Sequence, residues 1–500
     1  MYIYIFTSLF LLSGDKIHSR IRKWKDVSEG DIKIFLAHLI AMGLVRQSSI
    51  ARYWEHADIV NTPFFGTYMS RNTFQNILSN FQVVDNADAL RPNDRNFDPL
   101  FKVRPMIDMV DRTFLNCYKS GREVSVDEGC MPYKGRLKFK CYNPAKPNKW
   151  HIKAFEVSDA QTGYCLGIEI YCGKGKTRCA NNAPVLDPGC TETTKVVVGL
   201  LNKCRLLDRG HHVYMDNYYS SPELFLELHA RETFACGTAR KNRKNMPLAV
   251  TTAKLKKGDC VFRRNGPLLC YKWCEKRDVL MLTTIHEAVL VETGKVNMDG
   301  KKVVKPLGVV EYCAKMGGVD LNDQLMNYYS FLRKSCKWSR KLLIHLFNLV
   351  LINAHILNKH FGKESLSHDE YRDRICKFLI AEGLKSYNIP IPPVLSRRLG
   401  RRNRTDQEQA RLSERHFPSY IPQSRDKKRK HPSRACFVCN KLPGVEIQLP
   451  VKRTSFWCED CQKPLCLVPC FMSYHTIVDF KVNAIDYRLN RYPLTNLNPE

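Results

Sequence analysis

Between Glu123 and Leu228 the apolar pattern changes period in a fixed order, and that order restricts the fold more than any other feature of the chain. Glu123–Glu128 alternates with period two, with Val124 and Val126 on one face and Ser125 and Asp127 on the other. His151–Ser158 and Tyr164–Tyr171 read as two more strands, joined by the hairpin signal Gln161-Thr162-Gly163. Helical spacing follows over Glu192–Leu207, where Val196, Val197, Leu200 and Leu201 share a face. A short strand, His211–Met215, ends at Asp216, and after Pro222 a second helix runs through Leu224, Phe225 and Leu228. Three strands, a helix, a strand and a helix predict an α/β unit.

This is the order of an RNase H-like core, in which the first strand carries one acidic residue and the fourth strand ends at another. Asp127 and Asp216 occupy those two positions. The rest of the chain arranges itself around that core as a multi-domain protein. Residues 22–122 read as helical, opened by Ser28 with Asp31 three residues on and by Ile32, Phe35, Leu36, Leu39 and Ile40 at helical spacing. Residues 123–240 form the first part of the core, and 241–312, rich in Lys, Gly and short β-type runs such as Val279–Thr284, a β-rich insertion. Helical spacing returns after Gly317-Gly318, so 313–390 completes the core. The long apolar stretch Leu342–Phe361 is interrupted by His345, Asn348, Asn353 and His355, which predicts a buried helix rather than a membrane span. Residues 391–434, with Arg397, Arg398, Arg401, Arg402, Arg404 and the run Arg425–Lys430, form a basic linker that resembles a nuclear-import signal or else is a solvated tail. Residues 1–21 are apolar without a basic leader, too short to span a bilayer, and are read as a truncated or mis-started N-terminus rather than a signal peptide. Residues 435–478 are a cysteine-rich module and 479–500 a tail.

The charge balance narrows the partner. Seventy-nine Lys and Arg against 49 Asp and Glu leave +30, with a pI near 9.4. An excess of that size favours a polyanion, nucleic acid first. An anionic membrane would want a basic amphipathic helix or an anchor, and the sequence offers neither.

The 21 cysteines are scattered until the end of the chain. There Cys436-x2-Cys439, Cys458-x2-Cys461, Cys466-x3-Cys470 and His475 fall at spacings that suit tetrahedral Zn²⁺, and the pattern fits a reducing compartment. A module this short buries little core, so bound metal would supply its folding energy. Two four-coordinate sites need eight ligands and this set supplies seven. His431 is the candidate for the eighth, or one site is incomplete. A cross-braced RING-type module is the competing use of such a pattern.

Phosphodiester chemistry by two Mg²⁺ ions needs several carboxylates gathered from distant positions. Asp127, Asp216 and Asp320 are the candidates, with Asp323 one helical turn beyond Asp320 and on the same helix face. Acidic residues are as readily surface charges or helix caps. These three stand in suggestive contexts: an apolar alternation, a strand end, and a helix start after Gly317-Gly318.

Several longer stretches carry a family resemblance. SVDEG at 125–129, PYKGR at 132–136 and YNPAKPNKWHIK at 142–153 resemble the first catalytic block of piggyBac transposases. YMDNYYSSPEL at 214–224 is similar to the second block and GGVDLNDQL at 317–325 to the third. GTARKNR at 237–243, YKWCEKRDVLMLTT at 271–284, Trp54, TPFF at 62–65 and MSRNTF at 69–74 match further segments, so the likeness covers residues 22–478. The resemblance implies that Asp127, Asp216 and Asp320 hold two catalytic Mg²⁺ ions, with Asp323 a fourth acid. It implies cut-and-paste transposition: nicking at the element ends, hairpin formation by the freed hydroxyl, and joining into TTAA targets. It also implies a nuclear homodimer on double-stranded DNA, with the zinc module on the terminal DNA. Trp338 lies where the family has a Trp near hairpin DNA, and Arg333, Lys334, Lys337 and Arg340 surround it. Core packing beside the long helix is the other reading of Trp338. Family members often carry a longer acidic N-terminal extension, and this sequence reads as starting inside or just before the first conserved helix. An active transposase, a domesticated DNA-binding protein without catalysis, and an RNase H-like nuclease of another kind are the three readings.

Overall fold

The computed structural model describes residues 26–56, 59–187, 189–296, 300, 302–387, 416–422, 432–439, 453–468 and 470–476. The chain divides into two units, residues 1–386 and 387–500. The apolar start, the basic runs Arg397–Arg404 and Arg425–Lys430, His431 and the 479–500 tail lie outside the described residues.

The first unit opens with helices α1 (Glu29–Leu44), α2 (Pro63–Tyr68), α3 (Arg71–Asn80) and α4 (Arg104–Cys117). The capping box at Ser28 is formed: Asp31 N–H donates to Ser28 Oγ at 3.1 Å, and Ser28 N–H donates to Asp31 Oδ2 at 2.9 Å. Such a pair satisfies two backbone donors that the first turn leaves free. Helix α1 is buried on nearly every side, consistent with its apolar sequence.

The central sheet follows. Its strands are β1 (Glu123–Pro132), β2 (Cys141–Tyr142), β3 (Trp150–Asp159) and β4 (Cys165–Ile170). Helices α5 (Arg178–Asn181) and α6 (Glu192–Lys203) lead to β5 (His212–Met215), α7 (Pro222–Ala230) and β6 (Phe234–Thr238). Strand β1 pairs antiparallel with β3 and parallel with β5, and β5 pairs parallel with β6. This is the RNase H-like core. Strand β1 runs four residues past the alternation at Glu128, so Asp127 lies mid-strand rather than at an end. The helix expected over Glu192–Leu207 stops at Lys203, because Arg205 and Asp208 take left-handed φ of 57° and 59° and turn the chain, although Leu206 and Leu207 remain buried.

The β-rich stretch after β6 is largely an extension of the same sheet. After α8 (Leu248–Thr251), strands β7 (Cys260–Asn265), β8 (Leu268–Cys274) and β9 (Asp278–Thr283) add to β6 through β9. Among the described residues the sheet runs β2-β3-β1-β5-β6-β9-β8-β7, with β4 also on β3. Strands β10 (Leu290–Val296) and β11 (Lys302–Pro306) form a separate ribbon.

Helices α9 (Leu307–Lys315), α10 (Gly318–Tyr328), α11 (Trp338–Phe361) and α12 (His368–Lys385) return to the core. Helix α11 is long and apolar enough to cross a membrane, yet 72% of its apolar window is buried inside the fold. Its polar residues explain the burial. Asn353 Nδ2 donates to the Cys165 carbonyl at 2.8 Å and its Oδ1 accepts the Cys165 N–H at 2.9 Å, fastening the start of β4. Asn348 Nδ2 donates to the Met326 carbonyl at 3.1 Å and its Oδ1 accepts from Arg372 at 2.6 Å, joining α11 to α10 and α12. Buried amides paired on both ends fix helix register as well as satisfying themselves.

The second unit is described in short pieces: β12 (Pro418–Tyr420), β13 (Arg434–Ala435), β14 (Arg453–Thr454), β15 (Phe456–Cys458), β16 (Lys463–Pro464) and α13 (Cys470–Thr476).

Candidate active site and cysteine-rich module

The parallel pairing of β1 with β5 brings the first two candidate acids together. Val126 is in register with Met215, so Asp127 and Asp216 are the next residues on adjacent strands. Helix α10 brings the third. Val319 N–H donates to Ser125 Oγ at 3.2 Å, and a Cβ on Gly318 would lie 2.5 Å from that oxygen and 2.7 Å from the Asp159 carbonyl oxygen. Only glycine lets the helix start this close to the sheet. Asn322 Nδ2 donates to the Gly163 carbonyl at 2.8 Å, so the Gln161–Gly163 hairpin turn also anchors α10. Gly163 has φ +71°, the conformation its place in the turn requires.

Electrostatics link these acids. Burial pushes the Asp127 carboxyl up to about 7, with the charges of Asp216, Glu128 and Asp320 adding to it. Burial and then Asp320 push Asp323 up to about 6, and burial also raises Asp216. A group of carboxyls that resist ionisation is what a multivalent cation would relieve.

Residues that the sequence did not single out complete the surroundings. Glu156 on β3 lies in register with Asp127, is 2% exposed, and is pushed up to about 8 by burial, then by Asp323 and Asp127. Lys146, in the loop before β3, is held up against burial by Cys130, Asp127, Glu128 and Asp320. Arg240 donates to Asn217 Oδ1 at 2.9 Å and Arg243 to the Asn217 carbonyl at 2.9 Å, bracing the turn after Asp216.

The basic residues near α11 behave differently from one another. Arg333 donates to the Gln47 carbonyl at 2.8 Å and to Tyr53 Oη at 2.6 Å, tying the α10–α11 connection to the helical region. Lys337 donates to the Ser79 carbonyl at 2.8 Å and Arg340 to the Leu78 carbonyl at 2.7 Å, both at the end of α3. Lys334 is exposed. Trp338 packs edge-on against Phe139 with centroids 5.7 Å apart and lines a cavity of about 400 Å³ with Leu90, Phe97 and Phe101.

In the second unit all seven predicted ligands come together, and in two groups. Cys436, Cys439, Cys466 and Cys470 form one; Cys458, Cys461 and His475 form the other with His416. Ligand atoms within each group lie within 4.8 Å of one another. Four donors around one tetrahedral ion at thiolate distances stand about 3.8 Å apart, so either group can hold a metal ion. Cys439 and Cys470 sulfurs are 3.2 Å apart, and Cys461 Sγ is 3.6 Å from both His416 Nδ1 and His475 Nε2. His475 Nδ1–H donates to the Phe471 carbonyl at 2.7 Å, which turns the Nε2 lone pair toward Cys461 Sγ. The eighth ligand position among the described residues is thus filled by His416. Nothing in its spacing marks it, because it lies upstream of the paired cysteines in an Arg-rich stretch.

The profile of the family described as Transposase IS4 matches residues 5–355, which takes in all four candidate acids and the central sheet. The chain belongs to the piggyBac-type transposase family. The human PiggyBac transposable element-derived protein 3 is 25% identical over 466 residues, covering 90% of this chain and 70% of that protein. The human Chimeric ERCC6-PGBD3 protein is 25% identical over the same length, but that length is 39% of the chimera. The human PiggyBac transposable element-derived protein 2 is 23% identical over 66% of this chain and 55% of its own length. A cryo-EM structure of a piggyBac transposase synaptic complex with hairpin DNA superimposes with a TM-score of 0.64 at 22% identity, covering 76% of this chain and 78% of the other. In this piggyBac-type chain the RNase H-like sheet therefore has a counterpart of known fold.

Proposed function

We propose that the chain is a cut-and-paste DNA transposase that hydrolyses and rejoins phosphodiester bonds at element ends flanked by TTAA. The observation that carries the reading is the convergence of Asp127, Asp216 and Asp320 from β1, β5 and α10, three segments far apart in sequence. Asp127, Asp216, Asp320 and Asp323 would hold two Mg²⁺ ions, and oxygen-only donors suit that hard cation. Such ions supply activation of the attacking oxygen and stabilisation of the leaving oxygen. The chain's own part is to bring the carboxylates together on a rigid sheet and to stand Lys146 beside them.

Double-stranded DNA is the proposed partner, bound by a homodimer in the nucleus. The +30 charge, the basic runs at 397–404 and 425–430 and the DNA-bound structural neighbour support this. Lys334, Lys337, Arg340 and Trp338 are the proposed DNA contacts at the start of α11. Zn²⁺ is the proposed ion of both groups in the cysteine-rich module, because thiolate and imidazole donors at this spacing select it.

The test is an excision assay in cells with a plasmid carrying the element's flanking ends, comparing wild type with Asp127→Ala and Asp216→Ala. Seamless repair to TTAA with wild type, lost in both variants, supports the reading. Excision by either variant removes these acids from it. A domesticated DNA-binding protein is the second reading, favoured by relatives whose names describe transposable element-derived proteins. It predicts DNA binding without excision by wild type.

A further inference from the structure

We propose that Glu156 is a fifth carboxylate of the acidic centre and a direct ligand of one divalent cation, shared with Asp127 and Asp323. Glu156 stands directly opposite Asp127 in the antiparallel β1–β3 pair. Directly paired residues leave a sheet on the same face. Ser125 is on that face too, two residues before Asp127, and it accepts the Val319 N–H of α10. Helix α10 therefore covers the face from which Asp127 and Glu156 project, and Glu156 feels the charge of both Asp323 and Asp127.

The surroundings have been cleared for this side chain. A Cβ on Gly129 would lie 2.0 Å from Glu156 Oε1, so the carboxylate lies across the strand where any other residue would put its side chain. At 2% exposure Glu156 is withdrawn from water, and what acts on its carboxyl is that burial and the charges of Asp323 and Asp127. Lys153, three residues earlier on β3 and so on its other face, pairs with Glu128 at 2.7 Å. An unpartnered polar group stands in the same centre. The Tyr219 hydroxyl is buried without a partner among the described residues, within the field of Glu128, Asp127 and Asp216. A carboxylate withdrawn from water beside two other carboxylates is costly unless a cation compensates it, and an acid packed only for shape would not require a glycine beneath it.

The inference rests on the proposed metal-dependent reading of the four Asp residues, and the experiment separates the two. Mn²⁺ binding to the full chain, with the cysteine-rich module kept loaded with Zn²⁺, is followed by electron paramagnetic resonance in wild type, Glu156→Gln, Glu156→Asp, Gly129→Ala and Asp127→Asn. The melting temperature of each is measured in parallel without added Mn²⁺. Expected are a tenfold or greater weakening of one Mn²⁺ site in Glu156→Gln, partial recovery in Glu156→Asp, and a comparable loss in Gly129→Ala, where the carboxylate is displaced but retained. Wild-type Mn²⁺ affinity in a folded Glu156→Gln, with loss in Asp127→Asn, overturns the role of Glu156 alone. Unchanged affinity in Asp127→Asn as well overturns the metal reading of the whole centre. Should Glu156→Gln fail to fold, Gly129→Ala decides, and unchanged Mn²⁺ binding there overturns the proposal.

Discussion

Val319 reaches across 194 residues of chain to donate its backbone N–H to Ser125 Oγ at 3.2 Å, and through that contact the position of Asp320 depends on the position of β1. The third candidate acid sits on a helix whose first residues are docked on the strand that carries the first.

Gly318→Ala tests that docking. The added methyl would meet Ser125 Oγ at 2.5 Å and the Asp159 carbonyl oxygen at 2.7 Å, so α10 must lift from the sheet. We expect a stability loss of about 1–3 kcal/mol from overpacking and a fall in excision on the order of a hundredfold from misplacement of Asp320 and Asp323. Excision at the wild-type level in a folded variant would remove the docking from the account.

Arg333 and Lys334 are neighbours with different expected roles. Arg333→Ala loses charge-assisted hydrogen bonds to the Gln47 carbonyl and to Tyr53 Oη, while the buried Tyr53 hydroxyl keeps the Val45 carbonyl, so urea denaturation should show a loss of about 1–3 kcal/mol. Lys334→Ala should leave stability within about 0.5 kcal/mol and instead reduce the salt dependence of DNA binding. Equal stability of the two variants would contradict the structural role of Arg333.

His416→Ala should lower bound zinc from two ions per chain to one, read by mass spectrometry of the purified full chain under native conditions. Cys436→Ala should do the same through the other group, while His431→Ala should keep both ions. Two ions retained by His416→Ala would show that its group is closed by a different residue.

Acid should destabilise the first unit through His345 on α11. Burial, then Lys341, lowers its imidazole from 6.5 to about 4, and its Nδ1 has no partner among the described residues. The folded state thus holds the neutral form while the unfolded chain takes up a proton first. That stability is present above pH 6.5 and is lost as pH falls toward about 4, in total roughly 3 kcal/mol. His345→Leu should flatten the decline between pH 7 and pH 5 in urea titrations. A slope equal to wild type would assign the acid sensitivity elsewhere, His368 being the next group, lowered by burial and Arg372 to about 3.

The legible and illegible parts of this chain divide along physical lines. Asp127 and Asp216 stood out because each follows a period-two or short β-type run, and strand pairing then made them neighbours. Asp320 was legible through the Gly317-Gly318 break, but the reason for the break, the close approach of Gly318 to Ser125, exists only in three dimensions. Glu156 was hidden because β3 is buried on both faces, which erases the alternation that would have assigned it a side. The end of α6 was overrun because Leu206 and Leu207 keep the apolar pattern while left-handed turns at Arg205 and Asp208 bend the backbone. His416 carries no spacing signal at all, since a cross-braced ligand need only be near in space.

The two ligand groups of the cysteine-rich module are threaded through each other: His416 precedes Cys436 and Cys439, Cys458 and Cys461 separate those from Cys466 and Cys470, and His475 comes last. Any stop codon between 440 and 457 would remove half of one group and three quarters of the other at a stroke. Over evolutionary time a reading frame shortened anywhere from 417 to 470 keeps no intact ion site in this module.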